Sequence, residues 1–484
     1  MRPYYQLILF VVVAVLSVWF SRHHVFFWDT VQLGAKHAYW YYDNGLTPAL
    51  LPDEIDSGHP PVFGWYLAAC WAPAGGPGLP ASHLAMLPFL LLLVWALYRL
   101  GNYWLGPAFA YYLLWLAAVD PTLAAQGILV SPDVVLISAF CLGLVGIVEK
   151  RSRLLAFGVT MLALISMRGM MVAVALYLFD VWMNERSLGA RWWSRQSLFS
   201  LLRRSLPFLP GAVLAGGFML WHWWEKGWIG YHPDSPWASA FGRVGAAGFL
   251  KNGALLAWRL LEFGRLAVIF VLGLGVVLWF KPHNRNIPFA DQRKLMDILV
   301  LTALIALVLA PSFLLYKALH AQRYLLPLYL VLSLGALTFV FHVVQSVRIR
   351  HLLFTVMFAA LLTGNRWVYP EGIAMGWDST LAHLPYYGLR ETMLNYIQKQ
   401  GIQPGQVGTA FPEIGPFTYR DLSGQMEGFR EKNLQTQTYI LYSNVMNDFT
   451  DEERAALQSD WEAIHRLESR GVKFILYQKN NPQQ

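Results

Sequence analysis

The stretch "VFGWYLAACWAPAGGPG", residues 62–78, decides how this chain is threaded. If it crosses a membrane, every basic loop after it changes side; if it stays on one face, those loops fall together. Its apolar part, residues 62–74, is thirteen residues long and ends in a glycine-proline break. A straight helix needs about 20 residues to cross a bilayer, so the stretch reads as an interfacial or re-entrant helix.

The bilayer itself follows from composition. With 56% hydrophobic residues, 14% charged residues, 21 Trp and 29 Phe in 484 residues, the chain carries more apolar surface than one soluble core could bury. The formal charge of +8 sits in short clusters between apolar runs. Those clusters are topology signals facing lipid headgroups, and nucleic acid is not an expected partner. Two cysteines, Cys70 and Cys141, supply neither a disulfide framework nor a CxxC metal pair.

Apolar runs at 4–27, 82–98, 107–120, 134–149, 154–167, 170–183, 206–224, 263–280, 296–315, 324–345 and 351–363 predict about eleven helical spans, several of them short. The first is longer than a signal-peptide core and has no small-residue cleavage site after it, so it is expected to remain as an anchor. Basic loops mark the cytoplasmic side: "EKRSR" at 149–153, 185–204, 281–294 and "VRIR" at 347–350. All four agree when 62–74 does not cross and the amino terminus is inside. Residues 28–81, 121–133, 168–169, 225–262, 316–323 and everything after 364 then lie outside.

That threading gathers the unusual polar residues on one face. Asp29 follows the first run, Asp53, Glu54, Asp56 and His59 share its outer loop, Asp133 opens the fourth run, and Arg168 and Arg323 begin later ones. Charges at one bilayer interface are expensive to desolvate, so they are expected to pair with one another or with a charged substrate. Asp53, Glu54 and Asp56 read as a solvated acidic turn with a weaker role in acceptor binding. The aromatic sets "YWYY" at 39–42 and "WHWW" at 221–224 read as an interfacial belt. After residue 364 the chain becomes charged and alternating. It predicts a small extracytoplasmic α/β domain over 364–484, with a helix at 389–402, a strand at 406–412, and a helix then a strand over 451–479. No GxGxxG, P-loop, HExxH, GxSxG or fixed-period repeat occurs.

At this point the residues carry a resemblance. "WDTVQLGAKHAYWYYDNGLTPALL" followed by "DSGHPPVFGWYLA" resembles the first outer loop of GT-C glycosyltransferases, in the branch of the protein O-mannosyltransferases and bacterial aminoarabinose transferases. "ILVSPDVVL", "LISMRGMM" and "QRYLLPLYL" are similar to later motifs of that family, in order and spacing over residues 1–345. The chain departs from the pattern at Thr30, where the family has a second acid, at Gln32 in place of a basic residue, and at His59 and Arg168 in place of lysines.

The resemblance implies a polytopic transferase domain, residues 1–363, in a bacterial inner membrane. It implies a polyprenyl-phosphate-linked sugar donor, a hydroxyl acceptor and inversion at the anomeric carbon. On these residues Asp29 would be the general base, Asp133 would orient an arginine or the acceptor, and Arg168, Arg323 and His59 would stabilise the departing phosphate. Asp29, Asp56, His59 and Asp133 could also offer metal ligands, but no local spacing enforces a site, and transfer without a cofactor is expected. The rival reading is a secondary transporter using the same charges as an ion or proton pathway. Charges clustered at one face, with no two-fold repeat in the hydropathy, weigh against it.

Overall fold

A computed structural model describes residues 3–185, 195–233, 238–281, 287–371, 376–446 and 448–480. Parts of two of the basic loops, 186–194 and 282–286, lie outside the described residues.

Each apolar run carries a helix. Helix α1 (Pro3–Ser21) leads into a long connection holding α2 (His37–Asp43) and α3 (Val62–Trp71), and α4 (Leu79–Leu105) follows. Then come α5 (Tyr111–Val119), α6 (Pro121–Ile128), α7 (Pro132–Val148), α8 (Ser152–Ile165), α9 (Met167–Glu185), α10 (Arg195–Ser205) and α11 (Leu209–Lys226). The bundle is completed by α12 (Ala246–Leu261), α13 (Arg265–Trp279), α14 (Phe289–Leu315), α15 (Leu326–Val343) and α16 (Val347–Gly364). Among the described residues four helices are long and apolar enough to cross a membrane, and six if the bent pairs α6–α7 and α12–α13 each count as one span. Other runs make shorter helices: α5 has 9 residues and α8 has 14. The decisive stretch forms α3, 10 residues or roughly 15 Å of helix, about half the thickness of the hydrocarbon core.

Two helices form the centre of the bundle. All residues of α7 from Asp133 to Val148 are buried, as are those of α15 from Leu326 to Phe341. Such all-round apolar faces suit helices enclosed by other helices. Close approach around α7 is set by glycine. A Cβ on Gly158 of α8 would lie 2.6 Å from the Gly143 nitrogen, and one on Gly146 would lie 2.4 Å from the Leu155 nitrogen. Outer helices instead present bare apolar side chains, with Phe20 74%, Phe280 75% and Trp224 80% exposed. Surface of this kind on several helices is tolerable against lipid and very costly against water.

The chain after α16 builds a six-stranded sheet in the order β2-β3-β1-β4-β6-β5. Its strands are β1 (Val407–Thr409), β2 (Gly415–Pro416), β3 (Gly428–Glu431), β4 (Tyr439–Ser443), β5 (Trp461–Ser469) and β6 (Val472–Lys479). Strand β1 runs parallel to β3 and β4, whereas β6 is antiparallel to β4 and β5. Three helices accompany the sheet: α17 (Pro385–Lys399), α18 (Thr418–Asp421) and α19 (Asp451–Asp460). The reading of 451–479 as a helix and one strand is corrected here. "WEAIHRLES" is strand β5, hairpinned to β6 through Arg470 and Gly471, both at positive φ. Residues Val472, Phe474 and Leu476 of β6 are fully buried, and β5 is held by pairing with that core strand in spite of its charged residues.

The sheet is seated on the end of the bundle where α1 finishes. His24 stacks on Tyr387 at 3.9 Å, Phe27 on His383 at 5.0 Å, and the Phe26 N–H donates to the Arg420 carbonyl at 2.8 Å.

Candidate functional site

Four segments far apart in sequence meet at that same end. Just past α1, Trp28 takes a left-handed backbone conformation at φ 53°. The hydroxyl of Thr30 accepts from the Phe27 N–H at 2.9 Å and donates to its carbonyl at 2.7 Å. Thr30 therefore closes the turn that presents Asp29. Helix α7 begins with Ser131 as its N-cap, accepting from the Asp133 N–H at 3.2 Å. Asp133 sits in the first turn, where the helix dipole favours a carboxylate, so it is a helix-start residue and a cavity residue at once. Arg168 opens α9, and Arg323 lies in the 3₁₀ turn Gln322–Leu325 before α15.

Their side chains form one network. Asp133 accepts from Arg168 Nη1 at 2.7 Å and from Arg323 Nε at 3.3 Å. Arg323 pairs through Nη2 with Asp29 and through Nη1 with Asp378. The Arg168 guanidinium also lies 4.2 Å from the centroid of the Tyr324 ring. Arg168 thus has defined partners and is not a side chain that merely reaches the headgroups. The network borders a cavity of about 290 Å³ with a largely apolar remainder, including Leu33, Leu309 and Phe313. That volume is near the lower end of small-molecule sites.

His59 lines the same cavity. The Met167 N–H points at its Nδ1 from 3.5 Å, which leaves the ring proton on Nε2. Burial, with Arg168 and His37 adding to it, pushes its pKa down to about 4. Burial thus disfavours the charged form of the His59 ring, so that any contact it makes with a phosphate depends on its protonation. His37, which sequence reasoning passed over, also borders the cavity and donates through Nε2 to the Ile55 carbonyl at 2.7 Å. Burial lowers its pKa to about 4 as well.

Stability should register these two rings. Their ordinary value is 6.5, so between about pH 6.5 and 4 the unfolded chain binds more protons than the folded one. Their contribution is complete above that window and is lost as pH falls through it. Thermal unfolding measured from pH 7 to 4.5 is expected to show a shallower acid limb in His59→Asn than in the wild type, and superimposable limbs would contradict this.

Asp53, Glu54 and Asp56 do not reach the cavity. Asp56 is 2% exposed, and its Oδ2 meets His222 Nε2 at 3.1 Å and Lys226 Nζ at 2.8 Å. Its Oδ1 accepts from the Gly58 N–H at 2.8 Å, in a turn where Gly58 has φ +67°. The solvated-turn reading therefore fails for Asp56, because the end of α11 buries it and supplies its counter-ion. Asp53 joins Lys226 at 2.6 Å from a more exposed position, and Glu54 faces solvent. His222, read as part of the aromatic belt, is 2% exposed and belongs to this clamp. Asp56→Asn is expected to lower stability by about 2 kcal/mol, the scale of a hydrogen bond to a charged group. The drop should appear as a reduced melting temperature.

Among the described residues no three His, Cys, Asp or Glu side chains are grouped to hold a metal ion, and Asp56 lies apart from Asp29 and Asp133. With His37, Asp378 and Tyr324 are cavity residues that sequence reasoning did not single out. Tyr324 lies beside Arg323 within the quoted "QRYLLPLYL", whereas Asp378 sits in no recognisable spacing and lies in the part of the chain read as a separate domain.

This architecture, a helical bundle with buried charges at one end and a carboxy-terminal sheet capping that end, has a counterpart among solved structures. One solved structure of like fold is that of ArnT from Cupriavidus metallidurans bound to undecaprenyl phosphate. The TM-score is 0.51 and the identity 12%, with 97% of each chain covered. No family model and no curated protein matches the sequence.

Proposed function

We propose that this protein is a glycosyltransferase that moves a sugar from a polyprenyl-phosphate donor to a hydroxyl acceptor, working on the extracytoplasmic face of a bacterial inner membrane. The observation that carries the reading is the cavity at the sheet-capped end, where two arginines and the carboxylates of Asp29 and Asp133 meet an apolar wall. The neighbour of like fold holds undecaprenyl phosphate, which supports this class of donor.

The chemistry fits those groups. An acceptor hydroxyl attacks the anomeric carbon, the carbon–oxygen bond to phosphate breaks, and the proton leaves the hydroxyl. Asp29 is the acceptor of that proton. Arg168 and Arg323 stabilise the growing charge on the departing phosphate, since a planar guanidinium fork matches phosphate oxygens better than a point charge does. His59 adds an uncharged N–H donor. Asp133 holds both arginines in place, and attack opposite the leaving group gives inversion. The apolar wall suits the first units of a prenyl chain. No resident metal or organic cofactor is part of this scheme.

The test incubates purified protein with radiolabelled polyprenyl-phosphate sugars and a membrane extract. Label is expected to pass from a polyprenyl-linked donor and not from a nucleotide sugar. Failure to transfer label from any donor would overturn the reading and favour a transport role.

A further inference from the structure

The carboxylate of Asp378 poses a problem for any phosphate ligand. It is 4% exposed, and it is the one described cavity residue that comes from the chain after α16. Its backbone carbonyl accepts from Gln126 Nε2 at 2.8 Å, and the next carbonyl, of Ser379, accepts from Thr122 Oγ1 at 3.2 Å. On its other side Trp377 donates through Nε1 to the Asn444 carbonyl at 3.0 Å, just beyond strand β4. The turn is therefore tied to both α6 and the sheet, and it delivers a carboxylate to Arg323.

With Asp378 in place, each nitrogen of the Arg323 guanidinium meets a carboxylate: Nη2 that of Asp29, Nε that of Asp133 and Nη1 that of Asp378. Three carboxylates face two guanidiniums, an excess of one negative charge before any phosphate arrives. A buried phosphate needs those N–H donors and is repelled by that excess, so one carboxylate must give way. Asp133 is held by both arginines and by the α7 dipole. Asp29 is the proposed base. Asp378 has one arginine and, at 3.2 Å, the Ser379 hydroxyl.

We infer that Asp378 is a positioning residue and the resident anion of the phosphate subsite: it holds Arg323 in register and cedes Nη1 to the phosphate of the donor. This rests on the polyprenyl-phosphate reading and deepens it. It makes the carboxy-terminal chain part of donor recognition, through one side chain that opposes phosphate entry.

The experiment titrates undecaprenyl phosphate, and separately the uncharged alcohol undecaprenol, into the full-length protein in detergent, followed by native mass spectrometry. Asp378→Asn is expected to bind the phosphate about tenfold more tightly than the wild type, with undecaprenol binding unchanged. Asp378→Glu, which keeps the charge, is expected to match the wild type. A purely structural role would weaken binding in Asp378→Asn and would not separate the phosphate from the alcohol. Equal or weaker phosphate binding by Asp378→Asn, or equal tightening for both ligands, overturns this inference alone. No saturable phosphate binding by the wild type overturns the donor reading and this inference with it.

Discussion

Replacing Arg323 with glutamine is expected to abolish sugar transfer and to destabilise the protein by about 3–5 kcal/mol, the cost of leaving a buried ionic cluster without its cation. Arg323 is 8% exposed and is paired with Asp29, Asp133 and Asp378. After the change Arg168 alone faces all three carboxylates, and its one close partner among them is Asp133 at 2.7 Å. Thermal unfolding in detergent measures the stability loss. A melting temperature within a degree or two of the wild type would mean that the cluster contributes little. Arg323→Lys is expected to recover part of the stability and little of the transfer, because an ammonium cannot serve three carboxylates along three edges.

The second large effect is expected from Asp29→Asn. Loss of a positioned general base lowers turnover by a factor of about 10² to 10⁴. Binding of undecaprenyl phosphate, in contrast, should persist or tighten, because the change removes one carboxylate competing for Arg323. Separate measurements of turnover and of binding therefore discriminate between a base and a structural counter-ion. Transfer at the wild-type rate would remove Asp29 from the chemistry. Together with Asp378→Asn, which is expected to affect binding first, the variant assigns different duties to two carboxylates on the same guanidinium.

Much of the site was legible because charge is rare in this chain. A bilayer penalises each buried ionic group, so Asp29, Asp133, Arg168 and Arg323 stood out against apolar runs, and loop charge put them on one face. The structure brings all four, with His59, to a single cavity. The same logic misled at Asp56. Its neighbours in sequence are a turn and two prolines, and the residues that bury it, His222 and Lys226, come from the end of α11. It misled again at "WEAIHRLES", where charged residues suggested a helix and the paired core strand β6 imposed extended backbone.

By itself the sequence determined which segments are apolar helices, which stretch makes only a short one, and which ionisable residues are too costly to be incidental. Those are local properties of hydropathy, length and charge. Only the tertiary structure decided which partner each charge has: that Arg323 is shared among three carboxylates, that Asp56 is fastened to α11, and that Asp378 enters the cavity from beyond α16, the end of the bundle. Ion pairing is decided by distances of a few ångströms between residues as much as 294 positions apart, and such distances exist only once the helices have packed.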